Sequence, residues 1–350
     1  MALLDATPLI IAEAGVNHNG SRERAIEMVR AAAGAGADLV KFQAFRAEEL
    51  AGAEAATAPY QRANAGTADQ RALLGNLEFG LDDFEALADA CRAEGVGFLC
   101  TAFDAAMTGA LVELGMPAIK VASGELTNAP ALETFAGFDL PILLSTGMAT
   151  LDEVGRALDT LARAGAADII LLHCTSLYPA PTEAANLRAM ATMREAFGRP
   201  VGYSDHTPGD HVAIAAVALG AVAIEKHFTL SRELAGPDHG ASLEPDEFAA
   251  MTERLRETQC ALGDGVKRPA PGEAEIARLM RRSWHAARDL SAGAVLGSGD
   301  VALKRPATGL APEASPVGRR LSVARGADSP IRAEDLAEEP EGGHPEEGRA

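Results

Sequence analysis

PILLSTGMATLDEVGRALDTLARAGAADIILLHCTS, residues 141–176, is the stretch whose reading decides the fold. Its two ends, PILLSTG (141–147) and IILLHCTS (169–176), have the near-continuous hydrophobicity of strands buried on both faces of a parallel sheet. Between them LDEVGRALDTLARAGA spaces its apolar residues helically, opens at a capping signal on Leu151 and Asp152, and closes near a glycine. The order is strand, helix, strand.

The same alternation continues outward. Upstream lie LIIAEAG (9–15), LVKFQA (39–44), GFLCTAF (97–103) and AIKVAS (118–123); downstream lie PVGYSDH (200–206) and AVAIEKHF (221–228). Helical patterns such as SRERAIEMVRAAAGAG and NLRAMATMREAF fill the intervals. Eight strands, each followed by a helix, is the arithmetic of an α/β (β/α)8 TIM barrel. A doubly wound open sheet competes, but no GxGxxG opens the first helix, so the barrel is preferred.

Residues 1–265 are therefore read as the barrel domain, and 266–282 as a linker carrying one helix. Residues 283–339, with short strands and turns, read as a small β-rich second domain. The acidic, Gly/Pro-rich stretch 340–350 is expected to be a disordered tail.

Aromatics are only 4% of the chain, so its core must be built from Ala, Val, Leu and Ile. A net charge of −19 argues against a nucleic-acid partner, which would need a basic face. The four scattered cysteines show no CxxC spacing and read as reduced thiols. With no basic n-region and no long apolar run, a cytoplasmic protein without membrane contact is expected.

The informative residues end the strands, where barrel enzymes carry their chemistry. They are Glu13, Lys41 with Gln43, Thr101, then Lys120, Ser123 and Glu125, Ser145 and Thr146, Ser176 and Tyr178. The last two strands end in Ser204-Asp205-His206 and Glu225-Lys226-His227. One such residue is ordinarily a solvated turn; nearly every strand ending this way points to a converged site. Lys41 and Lys120 with hydroxyls from Thr101, Ser123 and Ser204 would cradle a phosphate and a carboxylate. His206 and His227, on neighbouring strand ends, could share a divalent ion such as Mn2+, Co2+, Zn2+ or Mg2+.

IAEAGVNHNG, VKFQAF, IKVASGEL, PILLSTGM, HCTSLYPAP, GYSDHTPG, IEKHFTL and GPDHGASLEP together resemble the signature segments of bacterial sialic acid synthases. KRPATGLAP resembles the arginine-bearing loop of the antifreeze-like (SAF) domain that follows the barrel in that family. The resemblance covers residues 9 to about 337.

It implies condensation of phosphoenolpyruvate (PEP) with an N-acetylated amino sugar, giving a nonulosonic acid and phosphate. N-acetylmannosamine is the first expectation for the acceptor; the alternative is 2,4-diacetamido-2,4,6-trideoxymannose, giving N,N'-diacetyllegionaminate. The stretch 58–79 resembles the neuraminate and legionaminate branches more than the pseudaminate branch, with Asn64 and Gln70 as candidate contacts.

The resemblance further implies that Lys41, Thr101, Lys120, Ser123, Ser176 and Ser204 hold PEP, and that Gln43, Tyr178 and Asp238 hold the sugar. His206 and His227 match the ligands of a divalent metal, Mn2+ by preference with Mg2+ or Co2+ admitted, and Glu13 matches the catalytic carboxylate. Glu125 and Glu225 are proton-handling candidates, with Lys41 and Lys120 neutralising charge. The implied assembly is a homodimer in which Arg305 reaches the partner's sugar site. Two other readings are weaker. An ulosonate synthase acting on a phosphorylated aldose would need a second cationic cluster, for which only Arg46 and Arg62 are at hand, and a non-catalytic scaffold would have a degenerate site.

Overall fold

The computed structural model describes residues 8–57, 62 and 69–337. Asn64 and the stretch 340–350 lie outside the described residues. The chain divides into two compact units, Met1–Asp264 and Gly265–Ala350.

The first unit is a parallel barrel of eight strands: β1 (Leu9–Gly15), β2 (Leu39–Ala44), β3 (Gly97–Ala102), β4 (Ile119–Val121), β5 (Ile142–Ser145), β6 (Ile169–Cys174), β7 (Val201–Asp205) and β8 (Ala223–His227). Hydrogen bonding runs β3-β2-β1-β8-β7-β6-β5-β4, and β3 also lies against β4, so the barrel is nearly closed. The expected strand 118–123 is shorter: after Val121 the chain coils, and Ser123–Glu125 form a 3-10 turn.

Side chains alternate along each strand, and the two phases have different fates. The outward phase, including Ile10, Val40, Phe42, Phe98, Ile119, Leu144, Leu171 and Ile224, packs in one large core with the surrounding helices. The inward phase begins apolar: Leu9, Ile11, Leu39, Leu99, Ala118, Leu143, Ile170, Leu172 and Ala223 fill the barrel interior. Gly202 belongs to this filling, because a Cβ there would lie 2.6 Å from the Ala223 carbonyl oxygen. One step further along the same phase come Glu13, Lys41, Thr101, Lys120, Ser145, Cys174, Ser204 and Glu225, all lining one cavity. The polar ring is thus the next layer of the barrel's own stacking.

Side-chain caps start several helices: Ser21, Asp69, Asp104 and Asn128 each accept from a backbone N–H in the first turn. For the helix Leu151–Arg163 the cap is Thr150, in a reciprocal box with Glu153, one residue before the expected Leu151–Asp152 signal. Each such cap contributes about 0.5–2 kcal/mol. At the far end of the barrel, Arg256 on the helix Pro245–Leu262 grips both carboxylate oxygens of Asp38 at 2.7 and 2.6 Å and the Pro8 carbonyl at 2.5 Å. That clamp joins the last helix to the start of β1 and β2.

The second unit pairs β9 (Ser283–Ala286) with antiparallel β10 (Val301–Lys304). Its core is Ala286, Leu290, Leu296, Val301, Leu321, Ile331 and Leu336. The helix Glu273–Met280, within the stretch read as linker, falls in this unit. Trp284 packs against that core, and its indole N–H donates to the Pro312 carbonyl at 3.1 Å. All four cysteines are free thiols, and no helix among the described residues is long and apolar enough to cross a membrane.

Candidate active site

The cavity at the C-terminal ends of the strands has a volume of about 460 Å3. At its base Lys41 Nζ lies 2.6 Å from Glu13 Oε2, 3.8 Å from Glu225 Oε2 and 3.3 Å from Thr101 Oγ1. Lys120 Nζ donates to Ser145 Oγ at 2.8 Å and lies 3.9 Å from the same Glu225 oxygen. Both lysines and both glutamates are buried. Glu225 Oε2 has no hydrogen bond and sits almost equally far from the two ammonium groups, while Oε1 accepts from Ser204 Oγ at 3.0 Å.

Burial works against every charge here, and the neighbours decide the outcome. It pushes the Glu13 carboxyl up, with Glu225 adding to the push against the pull of Lys41. Glu225 feels the same burial, but Lys120 and Lys41 outweigh it and hold its carboxyl down. Burial pulls Lys41 down, and Glu13 and Glu225 more than restore it. Lys120 ends lowered, by burial first and by Lys41 in addition, with Glu225 opposing.

Ser123 Oγ sits 3.3 Å from Cys174 Sγ and accepts the Gly147 N–H at 3.0 Å. A Cβ at Gly147 would come within 2.3 Å of Ser176 Oγ and 2.8 Å of Ser123 Oγ, so glycine lets these hydroxyls converge. Gln43 Nε2 donates to Glu13 Oε1 at 2.8 Å, on the side opposite Lys41. Asp238 is buried and lines the cavity; burial, reinforced by Glu13, pushes its carboxyl up to about 7.

His206 and His227 stand with ring centroids 5.4 Å apart, and Tyr178 lies over His206 at 4.2 Å. His206 Nδ1 is 2.7 Å from the Thr175 carbonyl, so it carries the proton and Nε2 keeps its lone pair. His227 Nδ1 is buried without a partner. Burial holds both imidazoles neutral, His227 most strongly. Neutral rings with available nitrogens fit a divalent ion, which His206 and His227 would hold as two ligands. No group of three or more His, Cys, Asp or Glu side chains among the described residues could hold one, so water or substrate would complete the shell.

The cavity thus gathers Glu13, Lys41, Gln43, Thr101, Lys120, Ser123, Ser176, Tyr178, Ser204, His206, Glu225, His227 and Asp238, and also Gln70. Of the strand-end residues expected in this chain's own cavity, Glu125, Thr146, Asp205 and Lys226 are not among its lining. Glu125 turns away with the 3-10 turn and accepts from Asn128 Nδ2 at 2.6 Å. Arg305 is exposed on the second unit, directly after β10. Arg46 is paired with Glu78 at 2.9 Å and Arg62 is exposed; neither lines the cavity.

Ser145, already singled out as a strand end, is the partner of Lys120; Cys174, Gly147 and an apolar wall made by Val16, Leu73, Leu74, Leu77 and Phe103 escaped the sequence reading. Behind the histidines, in the outward phase, Lys226 Nζ donates to Asp205 Oδ2 at 2.8 Å and to the Thr207 carbonyl at 2.5 Å, with both charged side chains fully buried. Asp205 Oδ1 accepts from the Thr207 N–H and hydroxyl at 2.9 and 2.8 Å.

Comparison with known proteins gives a consistent result. The model of the NeuB family matches residues 28–267, and that of the SAF domain matches residues 281–337. The N,N'-diacetyllegionaminic acid synthase of Campylobacter jejuni is 44% identical over 305 residues, covering 86% of this chain and 91% of that protein. The enzyme of the same name from Legionella pneumophila is also 44% identical, over 324 residues and 91% of each chain. Among solved structures, the N-acetylneuraminic acid synthetase of Leptospira borgpetersenii, in complex with citrate, matches with a TM-score of 0.70 and 35% identity. That match covers 77% of this chain and 90% of the solved one. With eight strands ending in one polar ring and a small β unit following in the sequence, this chain belongs to the NeuB family of acid synthases and carries a C-terminal SAF domain.

Proposed function

We propose that this enzyme condenses PEP with 2,4-diacetamido-2,4,6-trideoxymannose and water to give N,N'-diacetyllegionaminate and phosphate. The observation that carries the reading is the cation content of the cavity. Among the described lining residues Lys41 and Lys120 are the only Lys or Arg, enough for one multiply charged anion and not for a phosphorylated acceptor as well. N-acetylmannosamine was the first expectation from sequence; the two relatives at 44% identity support the diacetamido sugar instead.

In this reading Lys41, Lys120 and the hydroxyls of Thr101, Ser123, Ser145, Ser176 and Ser204 hold the phosphate and carboxylate of PEP, displacing the loose contacts to Glu225 Oε2. Gln43, Tyr178 and Asp238 orient the open-chain sugar. A divalent ion, Mn2+ in our proposal, would be held by His206 and His227 and would supply Lewis acidity toward the sugar aldehyde. C3 of PEP bonds to the aldehyde carbon as the C=O opens and its oxygen takes a proton, and water adds to the electron-poor C2 with loss of a proton. The bond from C2 to the phosphate-bearing oxygen then breaks as the new C2 hydroxyl gives up its proton and becomes the ketone, and phosphate leaves with the bonding pair. Glu13, fixed between Gln43 and Lys41 and biased by burial toward its protonated form, is placed to give its proton to the aldehyde oxygen and to take one back from the water. Cytoplasmic operation as a homodimer, with Arg305 given to the partner's sugar site, completes the proposal.

The test is incubation of purified protein with PEP, Mn2+ and either sugar, following phosphate release and product mass. Turnover is expected with the diacetamido sugar. Turnover with N-acetylmannosamine alone would refute the choice of acceptor, and turnover with neither, in folded metal-loaded protein, would refute the reaction.

A further inference from the structure

One wall of the cavity has no use in the chemistry described above. Val16 after β1, Phe103 after β3, and Leu73, Leu74 and Leu77 from the β2–β3 connection all line it. Val16, Leu73 and Leu77 are buried in a small cluster with Phe45, separate from the main core. Leu74 and Phe103 pack on that cluster and remain half-buried. These side chains share their cavity with two ammonium groups, three carboxylates and two imidazoles, yet offer a ligand no hydrogen bond. Apolar surface left against water costs about 25 cal/mol per Å2, a cost relieved when a ligand's own apolar group covers it.

We infer that this wall is the specificity element for the far end of the acceptor, and that it takes a methyl group, selecting 6-deoxy sugars over sugars with a 6-hydroxymethyl. The inference rests on the function proposed above and deepens it. The reacting aldehyde belongs at the His206–His227 end, near the anion cradle on β2 and β4. The sixth carbon is the opposite end of the open chain. In strand order from β7 and β8, which carry the histidines, the barrel mouth passes to β1 with Glu13 and Val16, then to β2 with Gln43 and the β2–β3 connection with the leucines of the wall. A hydroxyl on that carbon would lose its water there and gain no partner from these five side chains.

The experiment uses four mannose-configured 2-acetamido sugars, with hydroxyl or acetamido at C4 and methyl or hydroxymethyl at C6. In the wild-type enzyme, replacing methyl by hydroxymethyl should lower kcat/KM about 10- to 100-fold in both C4 series, the range an apolar pocket achieves against an added hydroxyl. Leu74→Asn and the nearly isosteric Val16→Thr should each shrink that ratio severalfold. A wild-type ratio near one in both series overturns the inference. So does an undiminished ratio in both variants when their melting temperatures match the wild type. The proposed acceptor is judged on the other axis: if the C4 acetamido sugars are no better than the C4 hydroxyl sugars, that reading fails while the methyl preference is still measured. If both variants unfold, the wild-type ratio alone decides.

Discussion

Replacing Lys226 by Met removes one member of a fully buried ion pair and leaves the Asp205 carboxylate behind without its cation. Asp205 would keep the Thr207 N–H and hydroxyl on Oδ1, but Oδ2 would lose its ammonium donor at 2.8 Å, and the Thr207 carbonyl would lose its donor too. Breaking a buried pair in this way costs about 3–5 kcal/mol. At about 2–4 °C per kcal/mol for a unit of this size, the melting temperature should fall by roughly 6–20 °C. Asp205→Asn in the same background removes the stranded charge and retains an oxygen for Thr207, so the double variant should recover most of the loss. Thermal unfolding of wild type, both single variants and the double variant closes the cycle. The reasoning is refuted if either single variant melts with the wild type, or if the double variant loses the sum of the two. Because Asp205 and Lys226 each precede a cavity histidine, Lys226→Met should also weaken metal binding to the folded protein.

Gly147→Ala should raise the KM for PEP at least about tenfold, with an overpacking cost of about 1–3 kcal/mol in a melting curve, since the new methyl would occupy the space of Ser176 Oγ. The Asp238 carboxyl, raised to about 7 from an ordinary 3.8, keeps its proton in the folded state over a range where the unfolded chain has lost it. Its stabilisation is therefore complete below pH 4 and disappears as pH rises through 7, so wild type should lose melting temperature relative to Asp238→Asn across that window. His206→Ala and His227→Ala should each abolish metal-dependent turnover and weaken Mn2+ binding in titrations, with far-ultraviolet circular dichroism unchanged. Arg305→Ala should raise the KM for the sugar far more than that for PEP, and the opposite pattern would remove Arg305 from sugar binding.

The barrel was legible because its strands are short apolar runs bounded by glycines, and the polar ring was legible because it caps those runs. Glu13, Lys41, Thr101, Lys120 and Glu225 each follow apolar residues two positions earlier that fill the interior, so position and phase are both written in the sequence. Glu125 shows the limit of that reasoning. It looks like one more strand-end carboxylate, but the strand stops at Val121 and the following turn sends its side chain to Asn128. Asp205 and Lys226 were visible as strand-end charges, but nothing local says that two side chains on separate strands, both in the outward phase, will meet in the dry layer between strands and helices. Gly147 acts by leaving room, which only the positions of Ser123 and Ser176 reveal. The leucines of the apolar wall have the spacing of any packed helix, and their exposure to the cavity is a property of the assembled loops.

The pairing of β1 with both β2 and β8 has a consequence for how the protein is made. When Leu9–Gly15 leaves the ribosome, the strand that will cover its second edge, Ala223–His227, has not been synthesised. At about 5–20 residues per second that wait is roughly 10–40 s. Throughout it, an almost wholly apolar segment with an open edge is available to neighbouring nascent chains. The Arg256 clamp on Asp38 and Pro8 comes later still, so a chain truncated before Arg256 would lack the tie between its last helix and its first strands. Yield in a cell should thus depend on chaperone supply and translation speed as much as on the finished barrel's stability.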